Sequence, residues 1–306
     1  MSPALEVTTR IGCKNMCSYC PQKTIIKKYS DSGGDFLMKF ETFKKCLSKV
    51  PKNVQIDFSG MAEPWLNPDC SEMVLHTHKS GYNLSIFTTL VGMEKSDLKK
   101  IKDIPFQQFI VHLPDAEEKT KIKVDKKYLS VLEYLCENKV KNCEFHFFST
   151  IEPQIISVLK NYRLKIKDIS SNLVTRAGNL GSGKLKKKKS IFCSSAPRNL
   201  NHNVLLPNGD VILCCMDYGL IHKFGNLLKQ DYGSLFKSKE HLRIKEAMKK
   251  GGIGTICMNC EKAIEKGSIP HLIHLCHNNK ILSKFSKVEF IKKTAKKILK
   301  KNNSKI

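Results

Sequence analysis

No run of about twenty apolar residues interrupts the 306-residue chain. Nor does a charged N-terminal region lead into an apolar stretch. Neither a membrane-spanning helix nor a signal peptide is expected, which points to a cytoplasmic protein. Arginine is scarce and occurs only at positions 10, 163, 176, 198 and 243, so the formal charge of +25 rests on lysine. That charge suits phosphate neutralisation in general. Bidentate phosphate and base recognition favours arginine, however, and nucleic acid is not the expected partner. Length and a hydrophobic content of 41% fit one large α/β domain with a smaller appendage. Cysteine is plentiful: thirteen residues, with groups at Cys13/Cys17/Cys20, Cys214/Cys215 and Cys257/Cys260. Such grouping reads as metal ligation in a reducing compartment rather than as a disulfide framework.

The stretch Cys13-Lys14-Asn15-Met16-Cys17-Ser18-Tyr19-Cys20 places three thiols at C-x3-C-x2-C spacing. Three ligands are one fewer than a closed tetrahedral site needs. The next cysteines, Cys46 and Cys70, fall inside regular elements. An iron-sulfur cluster held by three thiolates keeps one iron open, and open coordination usually means chemistry. The spacing, with Tyr19 just before the third cysteine, resembles the signature of radical S-adenosylmethionine (SAM) enzymes. The resemblance implies that the open iron chelates SAM and that an electron from the cluster cleaves it to a 5'-deoxyadenosyl radical. It also implies an electron donor such as flavodoxin or ferredoxin.

Leu5 to Ile11 alternates as a strand that delivers this loop. Alternating patterns follow: strands over Val54–Phe58, Leu84–Leu90, Phe106–Leu113, Phe145–Ser149 and Ile166–Val174, with helices over Phe40–Leu47, Met73–His78, Ser96–Ile101, Tyr128–Cys136 and Pro153–Leu159. This argues for βαβ units and a parallel sheet. Six strands suit either an open doubly wound sheet or an incomplete barrel. The family resemblance implies a partial (β/α)6 TIM-type barrel over residues 1–182, with the cofactors at the carboxyl ends of the strands. Ligands of parallel α/β folds sit there in general.

Gly60-Met61-Ala62-Glu63-Pro64 resembles the family's Gly-Gly-Glu-Pro segment imperfectly, which makes Glu63 and nearby carbonyls candidates for the SAM amino group. Polar groups at later strand ends are Thr88 and Thr89, His112 and Asp115, Ser149, and Arg176. By resemblance Thr88, His112 and Ser149 are candidates for cofactor contact, and Arg176 can meet a carboxylate bidentately. Ordinary loop polarity is the alternative for each.

A Gly- and Lys-rich stretch from Gly178 to Ser190 reads as a linker. Beyond it, Pro207-Asn208-Gly209-Asp210 lies between apolar runs and signals a β-hairpin, and Lys239–Lys249 reads as a helix. Cys193, Cys214, Cys257 and Cys260 can close one centre, as an iron-sulfur cluster or a zinc ribbon. Their spacing resembles a shortened SPASM domain of the single-cluster "twitch" kind, implying a small α+β domain over 191–277 and two 4Fe-4S clusters in all. Cys215, beside Cys214, points to the opposite face if the segment is a strand. The G-x4-C spacing favours Cys214 as the ligand; Cys215 is either core or a hydrogen-atom donor or switchable ligand, and Asp217 is a candidate base. His271, His274, Cys276 and His277 read as a surface helix. The tail, 278–306, reads as a basic amphipathic helix that packs on its own protein or meets an anionic membrane or an acidic partner. The expected activity is hydrogen abstraction in the oxidation or epimerisation of a sugar or cyclitol, with a peptide substrate as the alternative. A metal-stabilised RNA-binding protein or a zinc scaffold are the readings from other classes.

Overall fold

The computed structural model describes residues 3–170, 174–181, 187, 189–196, 199–251 and 254–271. Residues 182–186 and 188 of the expected linker lie outside these residues. So do His274, Cys276, His277 and the whole basic tail.

The elements run β1 (Ala4–Val7), α1 (Gln22–Ser30), α2 (Phe40–Leu47), β2 (Gln55–Phe58), α3 (Cys70–Lys79), β3 (Leu84–Thr88), α4 (Lys95–Ile101), β4 (Gln108–His112), α5 (Lys126–Asn138), β5 (Cys143–Phe147), α6 (Pro153–Leu159) and β6 (Ile166–Asp168). After these come β7 (Ile191–Cys193), β8 (His202–Leu205), β9 (Asp210–Ile212), β10 (Lys223–Asn226), α7 (Tyr232–Leu235), α8 (Lys239–Lys250) and β11 (Ala263–Glu265). Strands β1 to β6 pair in sequence and in parallel. The sheet ends at β6 on one side and β10 on the other, so the barrel is partial.

Alternation sorts the strand residues. In β1, Leu5 and Val7 join the core under the helices while Glu6 turns to the barrel interior, level with Asp57 of β2. The helices complete that core with residues three and four apart: Phe43, Cys46 and Leu47 in α2, and Tyr128, Val131, Leu132, Leu135 and Cys136 in α5. Asp125 starts α5 by accepting a bond from the Tyr128 amide at 2.9 Å.

Three features depart from the sequence expectations. The strand expected over Leu5–Ile11 stops at Val7: the Thr8 amide still bonds the Leu205 carbonyl of β8, but the Thr9 carbonyl then accepts from the Met38 amide and the Ile11 amide donates to the Phe36 carbonyl, outside the sheet. Thr8 Oγ1 accepts from the Met61 amide at 3.1 Å, and Thr9 Oγ1 donates to the Pro64 carbonyl at 2.8 Å. Helix α1, whose buried residues are Gln22, Ile25 and Tyr29, has no counterpart among the expected elements. The hairpin β8–β9 with β10 does not form a sheet of its own: β8 pairs in parallel with β1, giving nine strands in one sheet. The separate C-terminal sheet is the small β7–β11 pair.

Candidate active site

The loops at the carboxyl ends of β1 to β4, and the one that follows β6, converge on a cavity of about 170 Å3. Cys13, Cys17 and Cys20 line it together with Glu63, Thr88, Thr89, His112 and Arg176. Gln22 organises the cysteine loop. Its Oε1 accepts from the Cys13 amide at 3.0 Å, while its Nε2 donates to Cys20 Sγ at 3.2 Å and to the Met61 carbonyl at 2.5 Å. Burial pushes the Cys17 thiol up to about 11 and raises Cys13 as well, with the neighbouring cysteines adding to both. Enclosed thiols set side by side in this way are suited to a cationic centre that would hold them as thiolates.

Glu63 lies deep in this wall and both oxygens are taken. Oε1 accepts from Thr88 Oγ1 at 2.7 Å and from the Trp65 amide at 3.2 Å. Oε2 accepts from the Thr89 amide at 2.6 Å and from Thr89 Oγ1 at 2.7 Å. Asn15 Nδ2 reaches the same Thr89 hydroxyl at 2.8 Å, so the cysteine loop and the Glu63 segment are tied through one residue. Four bonds fill the lone-pair sites of a carboxylate. Glu63 therefore has no lone pair left for a further direct partner, and the Thr88 hydroxyl is committed to Glu63. Burial raises the Glu63 carboxyl above its ordinary range despite these bonds.

His112 is pushed down to about 4 by burial, with His146 and Arg176 adding to the effect, so the ring is neutral near pH 7. Arg176 Nε donates to the Tyr19 carbonyl at 3.4 Å. Burial works against its charge, but Tyr218, Cys215, Cys20 and Tyr19 around it favour the cation and prevail. Arg176 and Ala177 both stand in the left-handed region, at φ 53° and 55°. The carboxylate of Glu261 accepts from the Thr175 amide at 2.5 Å, from the Thr175 hydroxyl and from the Ala177 amide at 3.3 Å.

Two candidates stand apart from this cavity. Ser149 is not among its lining residues; its hydroxyl accepts from Lys119 Nζ at 2.7 Å and its amide donates to Ser170 Oγ at 2.6 Å. Asp115 ties its own loop, accepting from the Lys119 and Thr120 amides at 2.9 and 2.7 Å.

A second cavity, about 200 Å3, is lined by Cys193, Cys214, Cys257 and Cys260, with Cys215 and Glu6 beside them. Cys193 is on β7 and Cys260 just precedes β11, so the small sheet brings the two together. Cys214 faces Cys257 and Cys260, whereas Cys215 contacts Glu6 and faces Arg176. The adjacent cysteines thus serve different surroundings. Four thiolates on one zinc ion, each at Zn–S ≈ 2.3 Å, sit within about 4 Å of one another. Among the described residues no three His, Cys, Asp or Glu side chains are grouped so as to hold a single metal ion. Four cysteines around a cavity of about 200 Å3 suit an iron-sulfur cluster.

Asp217 does not line either cavity. Its carboxylate closes a turn, accepting from the Ile221 and His222 amides at 3.0 and 2.8 Å, which leaves it poorly placed as a base. His222 accepts at Nε2 from the Ile256 amide at 3.1 Å, so its Nδ1 carries the proton that meets Glu240 at 2.6 Å. That turn thus braces the segment leading into Cys257. Sequence reasoning passes over Gln22, Glu6, Tyr218 and Glu261. Only Glu6 carries a signal, as an acid on the inward face of an alternating strand.

A partial barrel with a three-cysteine loop at its mouth is the fold of the radical SAM enzymes. BtrN, solved in complex with AdoMet and 2-DOIA, is similar at a TM-score of 0.59 and 18% identity, over 85% of this chain and 93% of that one. The structure of anSMEcpe with bound AdoMet is similar at 0.53 and 12% identity, over 84% and 83%. A further structure of anSMEcpe, with AdoMet and the Cp18Cys peptide, matches at 0.52 and 13% identity, over 84% and 86%. No curated protein matches the chain. Residues 193–261 match SPASM, an iron-sulfur cluster-binding domain, and the fold as a whole is similar to that of BtrN and anSMEcpe.

Proposed function

We propose that the chain is a radical SAM enzyme that oxidises or epimerises a sugar or cyclitol. The observation that carries this reading is the gathering of Cys13, Cys17 and Cys20 with Glu63, His112 and Arg176 around one cavity at the barrel mouth. Cys13, Cys17 and Cys20 would hold a 4Fe-4S cluster with an open iron, and Cys193, Cys214, Cys257 and Cys260 a second, closed one. When bound, the first cluster and SAM supply the 5'-deoxyadenosyl radical that removes a substrate hydrogen, once a donor such as flavodoxin or ferredoxin has provided the electron.

The chain's own groups orient the reactants. Backbone carbonyls of the 60–63 segment are the direct acceptors for an ammonium, with the Glu63 charge behind them. Arg176 offers a planar fork to a carboxylate. Neutral His112 can donate or accept one bond to a hydroxyl. On the interior side, Glu6 accepts from Ser59 Oγ at 3.2 Å and contacts Cys215, while the Arg176 charge stands nearby. An acceptor and a donor facing one interior suit a hydroxyl-rich substrate. Cys215 can return a hydrogen atom there, which epimerisation needs and oxidation does not.

BtrN with bound 2-DOIA supports the small-molecule reading. The peptide complex of anSMEcpe supports a second one, a peptide-modifying enzyme. Anaerobic reconstitution should give roughly eight irons per chain from two four-iron clusters. Replacing Cys13, Cys17 and Cys20 by Ala should remove about half of that iron and all 5'-deoxyadenosine formation from SAM. Continued SAM cleavage in that variant would refute the proposal.

A further inference from the structure

Tyr218 belongs to the segment that matches SPASM, yet its side chain lines the SAM-site cavity. Its Oη lies 3.4 Å from Cys20 Sγ, and Gln22 Nε2 approaches the same sulfur at 3.2 Å. The phenol is only 2% exposed and packs with Ile11, Ile25, Tyr29 and Met61 from the barrel side and Val204, Leu206 and Ile212 from the hairpin, which hold the ring in place. A turn sets it there: the Asp217 amide donates to the Cys214 carbonyl at 3.0 Å, and Tyr218 follows directly. The SPASM segment therefore places its own hydroxyl against the third cysteine of the first cysteine loop.

Resting on the function proposed above, we propose that Tyr218 is a positioning residue that donates a hydrogen bond to the Cys20 thiolate and so raises the reduction potential of the cluster held by Cys13, Cys17 and Cys20. A thiolate bound to iron carries no proton, so in the pair the phenol must be the donor. Hydrogen bonds to ligating sulfurs withdraw electron density and stabilise the reduced, more negative state of a cluster. Gln22 supplies one such bond from the barrel, and Tyr218 supplies a second from the SPASM segment. Correct seating of that segment thereby makes the first cluster easier to reduce, which links the two domains through one hydrogen bond.

The test uses the full-length, anaerobically reconstituted protein. Tyr218→Phe removes only the hydroxyl and leaves the ring in its packed site. The expected result is an unchanged iron content, with the midpoint potential of the SAM-binding cluster shifted to more negative values in an EPR-monitored titration. The auxiliary cluster, followed in the Cys13/Cys17/Cys20→Ala background, should keep its potential in the Tyr218→Phe variant. Deuterium exchange should also remove a proton hyperfine coupling from the reduced cluster of the parent protein, and that coupling should be missing in Tyr218→Phe. Should the Tyr218→Phe change impair cluster assembly, fluorotyrosine at position 218, a stronger donor of the same shape, should move the potential in the positive direction. An unmoved potential in the Tyr218→Phe variant, or in the fluorotyrosine protein if only that one assembles, overturns the inference. A parent protein with no cluster on Cys13, Cys17 and Cys20 instead removes the functional reading itself, so the two failures are distinguishable.

Discussion

Glu261 follows the cysteine Cys260 immediately, yet its carboxylate grips the loop that presents Arg176. Replacing it with Ala deletes three hydrogen bonds, from the Thr175 amide, the Thr175 hydroxyl and the Ala177 amide. Bonds to a charged acceptor contribute about 1.5–3 kcal/mol each when buried, but this side chain keeps partial contact with solvent, so about 1 kcal/mol each is the fitting figure. Their sum, about 3 kcal/mol, opposes two consecutive left-handed residues, Arg176 and Ala177, that cost roughly 1–2 kcal/mol apiece. Without Glu261 the turn keeps the bonds that Gly178, Asn179 and Leu180 make to Thr175 and Arg176 but loses the three that oppose the left-handed strain, and Arg176 leaves the cavity wall more often. If binding needs the loop in place, the apparent SAM affinity falls by up to about 100-fold, since each 1.4 kcal/mol is tenfold. Glu261→Gln keeps the shape and one acceptor, and should lose about tenfold or less. Equilibrium SAM binding to the reconstituted protein measures the loss, and amide exchange across 174–178 reports whether the loop has opened. Wild-type protection with wild-type affinity in the Ala variant would refute the argument.

The pKa of this carboxyl supplies a second handle. Burial works to raise it, but the bonds from Thr175 and Ala177 outweigh that and hold it below the ordinary range. Its contribution is therefore complete above the unfolded carboxylate pKa and disappears as pH falls through the folded one, so amide protection at 174–178 should weaken on acidification. A Gly60→Ala change meets two obstacles at once: φ is +77°, and the new Cβ collides with Thr8 Oγ1, which holds the Met61 amide. It should displace the segment that carries Glu63 and weaken SAM binding about tenfold or more, read by the same titration; unchanged binding would show that the segment does not meet the cofactor. Glu6 is pushed up to about 7 by burial, with Asp57 beside it adding to the rise. A raised carboxyl stabilises fully below its unfolded pKa of about 4.5 and loses that contribution as pH rises through about 7, on the order of 3 kcal/mol in all. Urea unfolding should show Glu6→Gln abolishing the decline between pH 5 and pH 8, and persistence of the wild-type slope would contradict the assignment.

Periodicity makes the barrel legible because each parallel strand is buried against a helix layer. Helix limits such as Phe40–Leu47 and Pro153–Leu159 follow directly from apolar spacing and a proline start. Strand β1 reads four residues too long because Thr8, Thr9 and Ile11 continue the β-branched pattern, although the backbone of Thr9 and Ile11 bonds Met38 and Phe36 outside the sheet. Strand propensity registers what fits a pleated surface and says nothing of where the backbone bonds end. Helix α1 escapes the pattern for the opposite reason: its buried face is short and begins with the polar Gln22, so only the tertiary packing of Ile25 and Tyr29 reveals it.

The cysteine loop is legible for a different reason, since three ligands within eight residues need no tertiary structure to be seen. What the sequence hides is how that loop is held. Gln22, Asn15 and Tyr218 reach it from a helix, from the loop itself and from a turn about two hundred residues away, and none of the three stands in a pattern with another. Glu261 hides in the same way, because only folding brings it to Thr175. These contacts share a direction: Tyr218 and Glu261 both leave the cysteine-bearing C-terminal segment to support groups at the barrel mouth. A SPASM domain that only carried a second cluster would not require either. Tyr218 and Glu261 thus tie this segment to the cavity lined by Cys13, Cys17 and Cys20 and to the loop that presents Arg176, and loss of the auxiliary cysteines should disturb Arg176 even where the first cluster still assembles.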